Sequence, residues 1–249
     1  SKEVRMNDKV LLVTGASSDV GINLIREIYE DYSTIYLHYG HMNDGLEKLV
    51  ARISSDREVI LLQADFSKEE NVEDMIVSIE DKGVYPNNII HISAPKISVK
   101  HFHKDKWENF QGGWDISVRS IVKLLQCCIP KMAKAKYGRI IFFLTSNTID
   151  RPAKYQASYV TYKYALLGLM KALSVEYIEK KITVNGISPD MMETKFLENI
   201  PDMVIEQNAM NSPIGRNIRI EDIVPVVKYM LSDSGESMTG QNIGITGGL

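Results

Sequence analysis

Residues 9–21 read KVLLVTGASSDVG, an apolar run that ends at Thr14 and is followed by a turn of small residues. An amphipathic stretch begins directly after the turn. A strand, a tight turn and a helix in this order can hold a pyrophosphate, because backbone N–H groups and the helix N-terminus point at the anion. The same order also suits a plain strand-to-helix connection capped by Ser18 or Asp19. The residues that would hold the phosphates are Gly15, Ser17, Ser18, Asp19, Val20 and Gly21.

Short apolar runs alternate with longer amphipathic stretches along the rest of the chain. This pattern predicts an α/β fold, a single doubly wound parallel sheet of about seven strands. No linker interrupts the alternation, so residues 1–249 are predicted to form a single domain. The region from Pro189 to Pro213 is predicted to be irregular. The predicted strands span 9–14, 34–38, 58–63, 88–93, 139–144, 183–187 and 242–246, and the predicted helices lie near 20–30, 43–54, 68–80, 104–134, 156–179 and 220–232.

The composition excludes several classes of partner. The chain has 29 Lys and Arg residues against 32 Asp and Glu, for a net charge of −3 at pH 7. This balance disfavours nucleic acid or an anionic membrane surface as the main partner. The two cysteines, Cys127 and Cys128, are adjacent and form neither a disulfide framework nor a zinc motif. With no apolar run long enough to span a bilayer, the chain is predicted to be cytoplasmic.

Two further motifs lie where ligands of open α/β sheets bind. Asp65 and Phe66 follow the third predicted strand, at the carboxyl edge of the sheet. Tyr159 and Lys163 are four residues apart in a predicted helix, so they share one face. A nearby ammonium group lowers the pKa of a tyrosine, ordinarily about 10, by about 1–3 units. Tyr159 is therefore predicted to give a proton to a carbonyl or to take one from an alcohol.

From about Lys9 to Leu249 the chain resembles the short-chain dehydrogenase/reductase family. The family's turn reads TGxxxGxG, and here it reads TGASSDVG, with Asp19 in place of the middle glycine. The resemblance implies an NAD(P)-dependent enzyme that interconverts a ketone and a secondary alcohol. It assigns the proton transfer to Tyr159 and contact with the nicotinamide ribose to Lys163. It also implies a homotetramer.

The resemblance assigns two more catalytic positions. A hydroxyl beside the tyrosine positions the substrate oxygen. Counting back from Tyr159 gives Ser146, whereas counting forward from Gly138 gives Thr145, and we select Ser146. The family also has an asparagine whose backbone carbonyl holds a water in a proton relay, and the matching residue here is Ser117.

The cofactor site also follows from the resemblance. NAD-specific relatives carry an aspartate where this chain has Tyr39, and no acid lies nearby to repel a 2′-phosphate. His41 is a modest partner for that phosphate, so NADP(H) is favoured over NAD(H). The other residues predicted to contact the dinucleotide are Ser93, Ala94 and Pro95, at the family's NNAG segment, and Pro189, Met192 and Thr194, at its PGxxxT segment.

The sequence defines the substrate site less closely than the cofactor site. Residues 190–213 are predicted to form a lid over a small carbonyl or alcohol substrate. Lys136, Lys180 and Lys181 stand where family members dock an acyl carrier protein, although helix ends favour lysine in any case. A 3-oxoacyl thioester is thus the preferred substrate. His101 and His103 lack a third metal ligand and are interpreted as a solvated loop.

A rival interpretation is a catalytically silent nucleotide sensor or scaffold on the same fold. Four family positions are changed at once, namely Asp19, Pro95, Ser117 and Asp190. The retained set of Ser146, Tyr159 and Lys163 favours the enzyme, because a scaffold has no chemical need for it.

Overall fold

A computed structural model describes residues 9–248 and places seven strands in one sheet. The strand order is β3-β2-β1-β4-β5-β6-β7, and every neighbouring pair is parallel. The predicted doubly wound parallel sheet is confirmed. The strands are β1 (Val10–Thr14), β2 (Thr34–Tyr39), β3 (Glu58–Gln63), β4 (Asn88–His91), β5 (Gly138–Phe143), β6 (Ile182–Pro189) and β7 (Asn242–Ile245).

The helices cover both faces of this sheet. They are α1 (Asp19–Ile28), α2 (Asp44–Ile53), α3 (Glu69–Lys82), α4 (Trp107–Gly113), α5 (Ser120–Ala135), α6 (Ala157–Tyr177), α7 (Asp202–Asn211) and α8 (Ile220–Leu231). A π-helical turn, Trp114–Arg119, joins α4 to α5. The single helix predicted over 104–134 is therefore two helices with a wider turn between them.

Helix α7 lies in the segment predicted to be irregular, and that prediction is wrong for these residues. None of its side chains is buried, and Met203 and Met210 are about three-quarters exposed. A helix that buries no face shows no apolar stripe in its sequence, which is why periodicity missed it.

Alternating side chains of each strand feed two separate cores. In β1, Leu12 packs into the core under α3, α5 and α6, whereas Leu11 and Val13 pack into the core under α1, α2 and α8. The strand order reverses between β1 and β4, and the carboxyl ends of the strands open a cleft at that point. Within residues 9–248, no helix is long and apolar enough to cross a membrane.

Candidate active site

A cleft of about 770 Å³ lies at the carboxyl edge of the sheet. It brings together most of the residues predicted from sequence. Those that line it are Gly15, Ser17, Ser18, Asp19, Val20, His41, Asp65, Phe66, Ser93, Ala94, Ser146, Tyr159, Lys163, Pro189, Met192 and Thr194. Gly21, Tyr39, Pro95 and Ser117 do not line it. Tyr39 instead packs into the core under α1, α2 and α8, and the ring of His38 faces the cleft in its place.

The turn after β1 has the backbone geometry that close approach to a phosphate needs. Gly15 has a φ of +70°, and a Cβ at this residue would lie 3.1 Å from the backbone nitrogen of Ser93. Ser18 caps α1, since its Oγ accepts a hydrogen bond from Gly21 N at 3.0 Å. Gly21 supports the turn from behind, because a Cβ there would meet the Gly15 carbonyl oxygen at 2.6 Å.

Asp19 is bonded to the segment that was predicted to be a lid. Its Oδ2 accepts a hydrogen bond from the backbone N–H of Lys195 at 3.0 Å. Asp190 lies within that segment, and its Oδ2 accepts from Asn208 Nδ2 of α7 at 2.9 Å. Its Oδ1 accepts from Ser146 Oγ at 3.1 Å, which joins the start of the segment to the loop after β5. Both aspartates stand at positions that the resemblance matches with glycines of the family.

Tyr159 and Lys163 are both buried at the start of α6. The Tyr159 hydroxyl is hydrogen-bonded to the side chain of Thr145. Ser146 is bonded elsewhere, since its Oγ donates to Asp190 Oδ1 at 3.1 Å. Lys163 Nζ donates to the carbonyl oxygen of Phe143 at 2.7 Å and lies 5.7 Å from the centre of the Tyr159 ring.

Burial controls the protonation of this pair. It raises the pKa of Tyr159 to about 12, and the hydrogen bond from Thr145 offsets part of that rise. Burial also lowers the pKa of Lys163 to about 7. The sequence argument expected the lysine to lower the pKa of the tyrosine. In the structure the loss of hydration is the larger effect on both side chains, because each charged form is costly in a buried site.

Two buried histidines that sequence reasoning missed support the cleft. His91 Nε2 donates to the Ser117 carbonyl at 2.7 Å, and its Nδ1 is 2.7 Å from Thr14 Oγ1. The Ser117 carbonyl, predicted to hold a relay water, thus already accepts one hydrogen bond from the protein. Burial lowers the pKa of His91 to about 3, so the ring is neutral and its Nδ1 accepts from Thr14.

His38 makes an equivalent link on the other side of the cleft. Its Nδ1 accepts from Gly15 N at 3.1 Å and its Nε2 donates to the Ala64 carbonyl at 3.0 Å. The ring stacks on Phe66 with 3.7 Å between centroids. The only sequence signal for either histidine was a polar residue inside an apolar strand.

The two histidines assigned from sequence to a solvated loop, His101 and His103, lie close together. The rings of His101 and His103 are 5.6 Å apart. Within residues 9–248, no three His, Cys, Asp or Glu side chains are grouped so as to hold a metal ion.

A doubly wound sheet with a phosphate-type turn after β1 and a buried Tyr–Lys pair at the same edge defines a dinucleotide-dependent oxidoreductase. A family model described as Enoyl-(Acyl carrier protein) reductase matches residues 15–249. The chain belongs to the short-chain dehydrogenase/reductase family, and it is an NAD(P)-dependent enzyme that interconverts a ketone and an alcohol.

Individual relatives are similar over nearly their whole length. A 3-oxoacyl-[acyl-carrier-protein] reductase of Staphylococcus epidermidis is 25% identical over 256 residues, which cover 97% of this chain and 99% of that protein. The structure of a 3-oxoacyl (acyl-carrier-protein) reductase from Agrobacterium tumefaciens with NADP bound has a TM-score of 0.86 at 21% identity, covering 100% of this chain and 98% of that one. The structure of an NAD⁺-bound xylitol dehydrogenase has a TM-score of 0.86 at 25% identity, covering 98% and 100%.

Proposed function

We propose that this chain reduces the keto group of a 3-oxoacyl thioester with NADPH, and that Tyr159 supplies the proton. The observation that carries this proposal is the buried Tyr159 hydroxyl, which faces the cleft one helical turn from Lys163. A pKa of about 12 keeps this hydroxyl protonated at neutral pH. A protonated tyrosine can donate to a carbonyl oxygen, so reduction is the favoured direction.

The cleft suits a nicotinamide dinucleotide. Gly15, Ser17 and Ser18 of the turn line the cleft, and the adjacent N-terminus of α1 supplies a dipole that favours a phosphate. When bound, the nicotinamide supplies the hydride. Lys163 would hold the ribose of the dinucleotide, and Thr194 and Met192 would hold its carboxamide end.

Two neighbouring residues, Thr145 and Ser146, are candidates for the hydroxyl that positions the substrate oxygen. Ser146 was selected from its spacing to Tyr159. The hydrogen bond of Tyr159 favours Thr145, because that hydroxyl already lies beside the proton donor. Ser146 is the neighbour that joins the same loop to Asp190.

NADP(H) is proposed over NAD(H) because of the end of β2. The residues of this stretch that face the cleft are His38, Gly40 and His41, and none of them is acidic. Asp65 also lines the cleft, but its Oδ1 accepts from Ser67 N at 3.0 Å and from Ser67 Oγ at 2.7 Å. Similar structures contain either dinucleotide, so the proposal depends on this chain's own residues.

Assembly and location are further parts of the proposal. A homotetramer is supported by the outward side of α6, where Tyr164 and Val175 leave apolar surface exposed.

An acyl carrier protein is the proposed partner of three lysines. Lys136 and Lys180–Lys181 lie at the carboxyl ends of α5 and α6 and would meet it there. Cys127 and Cys128 are free thiols, which suits the reducing cytoplasm. Residues 1–249 are proposed to act as one domain with a lid over 190–213.

The test combines binding with turnover. NADPH and NADH are titrated by fluorescence, and oxidation is then followed with acetoacetyl-N-acetylcysteamine. Tyr159→Phe should lose at least about 10²-fold in kcat, the usual contribution of a positioned acid, and should keep its dinucleotide affinity. Tyr162→Phe is the matched control, since its buried hydroxyl has no hydrogen-bond partner.

Three outcomes separate the alternatives. Loss of turnover in Tyr159→Phe alone supports the assigned role. Dinucleotide binding without turnover of any carbonyl, and without a difference between the two variants, supports the silent sensor. Failure to bind either dinucleotide contradicts both.

A further inference from the structure

A second cavity, of about 610 Å³, adjoins the active-site cleft on the far side of the first turn of α6. Ala153 and Gln156 line both cavities, so the two spaces are neighbours. One wall is residues 100–103, the other is residues 152–157, and Val160 and Thr161 of α6 form the floor. Neither the sequence motifs nor the catalytic residues account for it.

The charge around this cavity is opposite to that of the molecule. Segments 99–106 and 150–157 contain five Lys and Arg residues and two Asp, in a chain with more acids than bases. Lys100, Lys154, His101 and His103 line the cavity, and no carboxylate is among its lining residues. The two aspartates of these segments are hydrogen-bonded to other groups outside the cavity lining. Asp105 Oδ1 accepts from Asn109 at 2.6 Å and from Ser98 at 3.2 Å, and Asp150 Oδ1 accepts from Arg151 N at 2.7 Å.

Tyr155 holds the two walls in position at a conformational cost. Its φ is +67°, and the other described non-glycine residues with positive φ, Lys136 and Lys181, are ordinary helix C-caps. Such a φ is strained for a bulky residue, and strained backbone clusters at active sites and ligand clamps. The Tyr155 carbonyl accepts from Lys100 N at 2.8 Å, and its ring lies 4.5 Å from that of His101.

Two aromatic rings that line this cavity are exposed to solvent. Phe102 is 73% exposed and Tyr155 is 48% exposed. Cationic side chains beside aromatic faces suit a ligand that carries an anion on an otherwise apolar arm.

We propose that this second cavity binds a phosphate on the arm of the thioester substrate while the keto group reaches Tyr159 in the neighbouring cleft. The inference rests on the proposed function, because it concerns the same substrate. It makes Lys100 and Lys154 specificity residues, and it predicts that substrates without a phosphate bind more weakly.

The experiment compares three acetoacetyl thioesters with the same reacting carbonyl. Acetoacetyl-N-acetylcysteamine has no phosphate, acetoacetyl-phosphopantetheine has one, and acetoacetyl-CoA adds the nucleotide phosphates. The test variant is Lys100→Glu/Lys154→Glu, and the control is Lys104→Glu/Lys106→Glu, an equal charge change on exposed lysines outside the cavity lining. Circular dichroism checks that both variants fold.

We expect kcat/KM for the phosphorylated esters to fall at least about tenfold in the test variant, through KM, and to fall much less in the control. The N-acetylcysteamine ester should respond equally little in both. The difference should shrink when salt is raised from 50 to 500 mM, since solvent-exposed charges are screened. An effect on acetoacetyl-CoA alone would overturn the proposal, because the cavity would then bind the nucleotide phosphates, whereas an effect on both phosphorylated esters would support binding of the phosphate of the arm.

Equal responses of the test and control variants to all three esters would overturn the proposal. Binding of free coenzyme A, measured by calorimetry on wild type and both variants with the cleft saturated by NADP⁺, needs no turnover and reports on the second cavity. Failure of the oxidoreductase proposal is seen separately, as absence of turnover of the N-acetylcysteamine ester.

Discussion

At the scale of single residues, the hydroxyl next to Tyr159 decides how the substrate oxygen is held. Thr145 bonds to the tyrosine, whereas Ser146 bonds to Asp190 at 3.1 Å. A donor aimed at the reacting oxygen is worth about 10²–10³ in kcat. Thr145→Val should therefore lose about that factor in kcat, and Ser146→Ala should change it less than about fivefold.

The controls for this prediction are direct. Thr145→Ser keeps the hydroxyl and should restore most of the activity. Unfolding curves of all three variants show whether the loss reflects chemistry or folding. A larger loss in Ser146→Ala than in Thr145→Val would restore Ser146 as the positioning residue.

Asp19 places a carboxylate at the end of a site built for phosphates. Partly exposed like charges repel by up to about 1 kcal/mol, or about fivefold in affinity. Asp19→Asn removes the charge but keeps an oxygen that can accept from Lys195 N. We expect NADPH to bind about fivefold more tightly to this variant in a fluorescence titration, and the gain should vanish in 1 M salt.

Asp19→Gly removes both the charge and the hydrogen bond to Lys195 N, whereas Asp19→Asn removes the charge alone. If it binds NADPH as Asp19→Asn does, repulsion alone limits the affinity. If Asp19→Asn binds like the parent, the carboxylate does not repel the dinucleotide and this prediction is wrong.

At the scale of elements, the C-terminal end of α4, just before the π-helical turn, lies against the catalytic helix α6. A Cβ on Gly113 would lie 2.1 Å from Cδ1 of the buried Tyr162 ring, which is packed edge-on against Tyr159. Gly113→Ala should therefore destabilise the fold by about 1–3 kcal/mol and lower kcat, because displacement of the Tyr162 ring disturbs its packing against Tyr159.

The adjacent Gly112 offers a matched control. A Cβ on Gly112 meets nothing within 4 Å. Gly112→Ala should stabilise the helix by about 0.5–1 kcal/mol. Urea unfolding of the two variants measures both effects, and equal midpoints would show that Tyr162 does not constrain the end of α4.

Elements were largely predictable because burial leaves a periodic signal. Strands β1, β2, β4, β5 and β6 are buried on both faces and appear as apolar runs. The edge strands β3 and β7 are only partly buried, but they too were located from short runs of apolar residues. The site was predictable where a motif fixes spacing, as for Gly15, Tyr159 and Lys163. Helix α7 left no signal because it buries no side chain. The choice between Thr145 and Ser146 depends on how a loop turns after β5, which spacing alone does not determine.

At the scale of the whole molecule, two neutral histidines join the elements around the cleft. His38 connects the turn after β1 to the end of β3, and His91 connects Thr14 to the π-helical turn. Neither could be assigned from sequence, because each role depends on neighbours that are distant along the chain. Both rings are almost fully buried, so protonating either one would break a hydrogen bond and bury a charge.

These histidines make stability depend on pH. Burial lowers the pKa of His38 to about 4 and that of His91 to about 3, from 6.5 in the unfolded chain. Below pH 6.5 the unfolded chain takes up protons that the folded chain does not, so the free energy of unfolding falls as pH falls, down to about pH 3–4. Each histidine lowers the free energy of unfolding by about 1.4 kcal/mol per pH unit in this window, or by about 2 kcal/mol each between pH 7 and pH 5.

The variant His91→Asn removes one of these two histidines. Between pH 7 and pH 5 its unfolding free energy, measured by urea denaturation, should therefore fall by about 2 kcal/mol less than that of the parent. The variant should be the less stable protein at pH 7, where it lacks the bonds to Thr14 and Ser117, and the two curves should converge in acid. Parallel curves would show that His91 takes up its proton at the same pH in the folded and the unfolded chain, which would contradict the neutral, buried link between β4 and the π-helical turn.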